Sequence, residues 1–228
     1  GRGAAGAIMA EQMLKRGRNV LMLERGLYSH PDTFNENEID MVSRLYSDGA
    51  LQISQSLRFT ILQGSAVGGT TVVNNAVCFD TPEQVVDTWN ARNDTPVIDK
   101  EKYYESQCAV RERMSIGHIK PGTRTPLDDL LNHGDTKINE GVKRYFENHP
   151  ELGEYDYNVV EANITDCLGC GYCNIGCKYG RKISMLDEVL PKAQADYGAD
   201  RFRILSEAEV VHLGTNNGKV NEIVVNIR

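Results

Sequence analysis

The sequence predicts an α/β fold, and three features carry the prediction. A glycine-rich turn at residues 1–6 precedes an apolar helical stretch and then a short apolar run, as in the helix and strand of a βαβ unit. A second glycine-rich loop lies at residues 64–71. Two β-rich runs follow, at residues 203–213 and 220–227. We therefore expect a Rossmann-like α/β unit with further segments inserted in it.

The composition is that of a folded globular protein. The chain has 228 residues, of which 40% are hydrophobic and 25% are charged. That length accommodates one or two domains with a buried core. The formal net charge of −7 argues against nucleic acid as a partner. No apolar run approaches the ~20 residues of a membrane-spanning helix, so we expect no transmembrane segment in this sequence.

The first glycine motif has the G-x-G-x-x-G spacing of dinucleotide-binding turns. Gly1 permits a tight turn after a strand, Gly3 lets the backbone approach a pyrophosphate, and Gly6 lets the helix pack close to the sheet. Glu24 ends the apolar run 19–23, where a carboxylate accepts hydrogen bonds from a ribose. The alternative is an ordinary strand-to-helix turn, and the motif does not separate NAD from FAD. Because it needs a preceding strand, we expect a fragment whose first strand lies upstream of residue 1.

The other elements follow in chain order. We expect the first helix to end at Gly17 and a second helix near residues 38–46. A helix that contains Pro191 is predicted at residues 184–197. The sequence Asn216-Asn217-Gly218 predicts a hairpin turn between the two β-rich runs.

The second glycine-rich loop, residues 64–71, contains three glycines and several small hydroxyl residues. Such a backbone can run close against a flat cofactor. The apolar residues Val67, Val72 and Val73 favour a buried loop. A flexible surface loop is the alternative.

Four of the six cysteines fall within eleven residues, which suggests metal ligation. They have the C-x2-C-x2-C-x3-C spacing of a ferredoxin-type iron–sulfur run: Cys167, Cys170, Cys173 and Cys177. A 4Fe-4S cluster takes four ligands, with Cys78 or Cys108 as substitutes for one of them, and a 3Fe-4S cluster takes three. A structural zinc knot and a redox-active dithiol are the alternatives.

Several segments resemble the glucose-methanol-choline (GMC) family of flavoprotein oxidoreductases. Residues 64–74 resemble the family's first signature, and residues 1–6 and 23–26 resemble its ADP-binding start. Three later segments resemble its return to the flavin domain: residues 180–184, 190–193 and 208–211.

The resemblance implies that the cofactor is FAD and that the residues below contact it. The ADP part is expected on Gly1, Gly3, Gly6 and Glu24. The rest of the cofactor is expected along Gly64, Gly68, Gly69, Thr70, Asn74 and Val210. The family's catalytic histidine lies beyond Arg228, so we expect no catalytic residue in this chain and expect its own histidines to be surface or structural.

The resemblance also divides the chain. It implies a first part of the FAD-binding domain at residues 1–79 and an inserted, mostly helical segment of a substrate domain at residues 80–166. The cysteine loop, residues 167–177, follows. Residues 178–228 return to the FAD-binding domain.

Three functions remain open. The leading one is oxidation of a small-molecule alcohol or polyol by hydride transfer to the flavin N5, with electrons relayed through an iron–sulfur cluster to a cytochrome or other acceptor protein. The second is an oxygen-using long-chain alcohol oxidase with a structural cysteine loop. The third is a ferredoxin-like electron-transfer or metal-binding module. The sequence does not identify the alcohol.

Overall fold

The computed structural model describes residues 3–93, 95–119, 128–154 and 160–228. The chain divides into two compact units. The first unit combines Gly1–Asn75 with Tyr172–Arg228, and the second unit is Ala76–Gly171. Over the described ranges, no helix is both long enough and apolar enough to cross a membrane.

Helices and strands occur along the whole of the described chain. The helices are α1 (Ala4–Lys15), α2 (Glu38–Leu45), α3 (Thr70–Val73), α4 (Glu83–Ala91), α5 (Lys100–Arg113), α6 (Asp128–Asn148) and α7 (Leu190–Arg201). The strands are β1 (Val20–Leu23), β2 (Gln52–Ile53), β3 (Thr60–Ile61), β4 (Val77–Cys78), β5 (Gly117–His118), β6 (Glu161–Ala162), β7 (Phe202–Leu205), β8 (Ala208–Asn216) and β9 (Lys219–Ile227). A 3₁₀ turn at Cys173–Ile175 and a π-helical turn at Met185–Val189 also matter for the site.

The first unit is organised around a parallel pair of strands, β1 and β7, in which Val20 lies opposite Phe202 and Leu23 opposite Leu205. Helix α1 packs against α7. It buries Ala7 and Leu14, seven residues and so about two turns apart on one helix face. Parallel strands covered by helices are the α/β arrangement that the sequence predicts.

The β-rich run at 203–213 differs from the prediction because it forms two strands in different sheets. Glu207 breaks it with a φ of 54°, and its amide donates to the Gly26 carbonyl at 3.1 Å. The chain then enters the antiparallel pair of β8 and β9. The predicted hairpin turn between them is confirmed: Asn217 and Gly218 both have positive φ, as a type I′ turn requires.

The helix predicted at 184–197 is also divided. Residues 185–189 form the π-helical turn, and Pro191 lies in the first turn of α7 rather than inside a helix. Proline fits a first helical turn because its missing N–H has no intrahelical partner there. Ser184 and Asp187 form a capping box that starts the π-helical turn.

The second unit contains α4, α5 and a three-stranded antiparallel sheet in the order β4-β6-β5. Arg111 links two parts of this unit through Asp80 at 2.7 Å and Glu161 at 2.6 Å. The sequence predicts helices in this region but not the sheet. Its strands have two residues each, too few to produce a recognisable alternation.

We predict that Phe202→Ala lowers the free energy of unfolding by about 3–5 kcal/mol, because it leaves a cavity in the core beside β1. Phe202 is 1% exposed, whereas Leu205 on the same strand is 41% exposed. The control Leu205→Ala should therefore cost about 1 kcal/mol. Denaturant unfolding measures both values, and equal losses would contradict the described core.

Candidate cofactor-binding site

A cavity of about 470 Å³ lies in the first unit where the parallel strands β1 and β7 end. We call it the strand-end cavity. In open α/β sheets, ligands bind at the carboxyl ends of the strands. Three segments together with Gly3 and Gln52 supply its lining, which consists of Gly3, Leu23, Glu24, Arg25, Gln52, Gln63, Gly64, Gly69, Thr70, Ala208, Glu209 and Val210.

Glu24 is held at the end of β1 by its own backbone. Its amide donates to the Leu205 carbonyl at 2.9 Å, and its carbonyl accepts from the Ala208 amide at 2.7 Å. The side-chain Oε1 accepts from the Gly26 amide at 3.0 Å. The residue is 9% exposed, so a carboxylate of fixed orientation borders the cavity.

Gly26 brings the segment after β1 against the second glycine-rich loop. A Cβ at Gly26 would lie 2.1 Å from the Ser65 carbonyl oxygen, closer than any side chain permits. The Val67 amide donates to the Leu27 carbonyl at 2.9 Å and joins the same two segments. The segment after β1 and the second glycine-rich loop, 39 and 40 residues apart in sequence at these two contacts, therefore border one cavity.

The second glycine loop makes a tight turn before α3. Gly68 and Gly69 both have positive φ, 95° and 59°, which side chains other than glycine rarely adopt. Gly64 lies so close to Gly69 that an added Cβ would be 2.7 Å from its carbonyl group. The Gly64 amide donates to the Thr70 hydroxyl at 3.1 Å. The loop is thus folded back on itself rather than extended at the surface.

Arg25 lines the strand-end cavity and contacts two other segments at its edge. Its guanidinium donates to the Ser47 hydroxyl at 2.5 Å and lies 3.8 Å from the Glu209 carboxylate. These contacts tie the end of β1 to the turn after α2 and to the start of β8. Because Glu24 and Glu209 are both acidic, the arginine offsets negative charge at this rim.

Lys182 is a buried cation behind the glycine turn. Its ammonium donates to the carbonyls of Val72 and Asn74, both at 2.7 Å, and of Cys173, at 2.6 Å. The residue is 2% exposed. Burial lowers the pKa of Lys182 to about 8, because removal from water penalises the charged form.

The cysteine loop is divided between the two units: Cys167 and Cys170 belong to the second, Cys173 and Cys177 to the first. Backbone amides donate to two of the sulfurs, Gly169 to Cys167 at 3.4 Å and Arg181 to Cys177 at 3.3 Å. Among the residues that the structure describes, no group of three or more His, Cys, Asp or Glu side chains could hold a metal ion.

That Cys167, Cys170, Cys173 and Cys177 bind a metal therefore stays a prediction, because the described residues do not support it. Packing contacts hold the later part of the loop. The Tyr46 hydroxyl donates to the Asn174 carbonyl at 2.6 Å, and a Cβ on Gly176 would lie 2.8 Å from the Phe34 ring. Ile175 between them is buried.

The residues predicted to bind the cofactor do not all line the strand-end cavity. Those that line the strand-end cavity are Gly3, Glu24, Gly64, Gly69, Thr70 and Val210. Gly6 lies in α1, Gly68 in the turn before α3, and Asn74 at the carboxyl end of α3. Gly1 lies outside the described residues. That all of them contact a cofactor stays a prediction.

Sequence reasoning missed four polar residues of the lining, Arg25, Gln52, Gln63 and Glu209. Arg25 follows Glu24 directly, so its place at the end of β1 was readable from the sequence. Gln52 is the first residue of β2 and Gln63 lies two residues after β3, and no motif marks either glutamine.

Comparison with known proteins identifies the class. A profile of the GMC oxidoreductase family matches residues 42–226, and this chain belongs to that family. A long-chain-alcohol oxidase of Arabidopsis thaliana, FAO1, is 27% identical over 184 residues, which are 80% of this chain and 22% of that protein. An uncharacterized GMC-type oxidoreductase of Mycobacterium tuberculosis is 26% identical over 212 residues, 92% of this chain and 31% of that protein.

The fold is also similar to a solved structure. Pyridoxine 4-oxidase from Mesorbium loti superposes with a TM-score of 0.60 at 17% identity, over all of this chain and 45% of that one. The mixture of helices and strands is consistent with the α/β FAD-binding domain of this flavoprotein family. The chain spans only about a fifth to a third of the curated relatives described above.

We predict that Gly68→Ala destabilises the protein by more than the ~1–3 kcal/mol of a strained φ alone. The added Cβ would lie 2.6 Å from Val72 Cγ2 and 3.0 Å from the Leu186 Cβ. Gly17→Ala is the matched control, because Gly17 also has a positive φ but open space around it. Urea unfolding compares the two variants. A Gly68→Ala loss no larger than that of Gly17→Ala would contradict the packed turn.

Proposed function

We propose that this chain forms FAD-binding structure of an enzyme that oxidises an alcohol CH–OH group. One observation carries the proposal: the strand-end cavity gathers Gly3, Glu24 and the Gly64–Thr70 loop, which are far apart in the sequence. The family relationship supports the same cofactor, since GMC oxidoreductases bind FAD.

The residues of the cavity fit the ADP part of FAD. Gly3 is the N-cap of α1 and makes no side-chain cap hydrogen bond, and nothing lies within 4 Å of the position of an added Cβ there. The first amides of α1 are thus suited to a pyrophosphate, which the helix dipole also favours. Glu24, anchored at the end of β1, is suited to accept hydrogen bonds from ribose hydroxyls.

In this proposal, bound FAD supplies a hydride acceptor, the flavin N5. The chain's residues bind and orient the cofactor. Gly69 and Thr70 form a wall with no bulky side chain at the glycine, so a flat group can approach the backbone closely. Arg25 holds the rim in place through Ser47 and Glu209. We assign no catalytic acid or base to this chain.

The relatives favour an oxidase. Four long-chain-alcohol oxidases of Arabidopsis thaliana are 27–28% identical to this chain over 80% of its length. We therefore propose an alcohol as the substrate and favour the function in which the cysteine loop is structural. Phe34, Tyr46 and Lys182 contact the backbone of the loop at Gly176, Asn174 and Cys173.

The iron–sulfur relay is not part of the proposed function. Its support is the spacing of the four cysteines, and the described residues provide no metal-binding group. The proposal of a cytochrome acceptor depends on the iron–sulfur relay alone. We therefore omit both from the proposal.

We predict that Glu24→Ala in the full-length protein weakens FAD binding by about 1–3 kcal/mol, because it removes a charged hydrogen-bond acceptor from a partly buried site. Titration of the apoprotein with FAD, followed by flavin fluorescence, measures the change. Glu105→Ala is the control, since Glu105 is exposed on α5 in the second unit. Equal FAD affinity in Glu24→Ala and the wild type would count against the assignment.

A structural cysteine loop has its own expected outcome. The purified full-length protein should show a flavin spectrum without broad iron–sulfur absorption, and Cys177→Ser should retain FAD, because backbone contacts hold the loop. Metal and sulfide analysis checks the first point. Stoichiometric iron and sulfide that disappear in Cys170→Ser would instead establish the cluster and restore the relay.

A further inference from the structure

We propose that Lys182 is a positioning residue that fixes the glycine turn of the strand-end cavity from behind. The inference rests on the proposed function, because it concerns the wall against which the cofactor would lie. It is carried by contacts that residues 182–186 make with both ends of α3.

The first contact is at the carboxyl end of α3. A lysine ammonium has three donors, and that of Lys182 has three backbone acceptors, on Val72, Asn74 and Cys173, at 2.6–2.7 Å. The ammonium thus satisfies carbonyls at the end of a helix, where the dipole favours positive charge. It also joins α3 to the 3₁₀ turn of the cysteine loop.

The second contact is at the amino end. The Met185 amide donates to the Thr71 hydroxyl at 3.1 Å, and that hydroxyl donates to the Gly68 carbonyl at 2.6 Å. Leu186 packs directly on Gly68: an added Cβ there would lie 3.0 Å from the Leu186 Cβ. Residues 182–186 therefore contact α3 at both of its ends.

These contacts are important because α3 is only four residues long. A single helical turn has no independent stability in water, so its place is set by what surrounds it. Gly69 and Thr70, at its amino end, line the strand-end cavity. When Lys182 holds the carboxyl end of α3, it also determines the position of Gly69 and Thr70 in the lining of the cavity.

Loss of the Lys182 ammonium should shift the part of the cavity lining that Gly69 and Thr70 form. Lys182→Met keeps a side chain of similar length but removes all three donors, and it leaves the Val72, Asn74 and Cys173 carbonyls without that partner in a buried place. Buried carbonyls that lose their partners favour a rearranged backbone. The expected rearrangement is a shift of α3 and, with it, of the turn at Gly68 and Gly69.

The test uses the full-length protein and compares Lys182→Met with Lys178→Met. Lys178 is exposed, four positions upstream in the same segment. For Lys182→Met we expect an FAD dissociation constant roughly tenfold higher or more, together with an altered visible circular dichroism spectrum of the bound flavin. Lys178→Met should match the wild type in both.

A merely structural lysine gives a different result. If Lys182→Met lowers the melting temperature but leaves the dissociation constant of the folded protein and the flavin spectrum unchanged, the inference is overturned. If Lys182→Met does not fold, Thr71→Val decides. It removes the hydroxyl at the other end of α3, and we expect a roughly threefold or greater rise in the dissociation constant; no change in affinity or spectrum would overturn the inference.

Failure of the proposed function gives an experimental result that differs from failure of the inference. A full-length wild-type protein that binds no FAD would overturn the proposed function, and the inference with it. Wild-type binding with no effect of either variant would overturn the inference alone.

Discussion

The first unit depends on the close approach of two backbones, at Gly26 and Ser65. Any Cβ at Gly26 would overlap the Ser65 carbonyl, so this contact requires glycine. The hydrogen bond from the Val67 amide to the Leu27 carbonyl holds the two segments together, and the bond from the Ser65 amide to the Leu45 carbonyl joins the loop to the end of α2. Because the segment after β1 and the second glycine loop meet at this contact, both contribute to one cavity. A side chain at residue 26 would separate the carboxylate of Glu24 from the turn before α3.

Around this contact, the polar groups are fixed largely by backbone partners. Glu24 is anchored by amides and carbonyls at the ends of β1 and β7, and Lys182 is surrounded by carbonyls. Buried polar groups need such partners, because loss of one leaves an unsatisfied group out of water. The site is therefore preorganised by the main chain, so its shape depends on glycines and on the few charged side chains that bridge segments.

The sequence predicts much of this arrangement. Glycine spacing and the position of Glu24 carry enough local chemistry to place these residues in one site, and the hairpin turn at Asn217 follows from local backbone preference. Long-range features were not readable. Nothing in the apolar run 203–213 marks the break at Glu207, which results from a hydrogen bond to Gly26, distant in sequence. Lys182 lies in a segment that resembles the family, but its role is defined by three carbonyls from two other segments. The cysteine spacing suggests a cluster, which stays a prediction, whereas the packing of that loop on Phe34 and Tyr46 has no signal in the sequence.

Hydrogen exchange of the full-length protein with and without FAD tests the central claim, that the strand-end cavity holds the cofactor, most directly. We expect FAD to slow exchange of amides in the first turn of α1, at residues 24–26 and in the Gly64–Thr70 loop. Helices α4 and α5 of the second unit should serve as an internal reference with little change. Protection that omits these cavity segments, or FAD binding with no protection of them, would contradict the account.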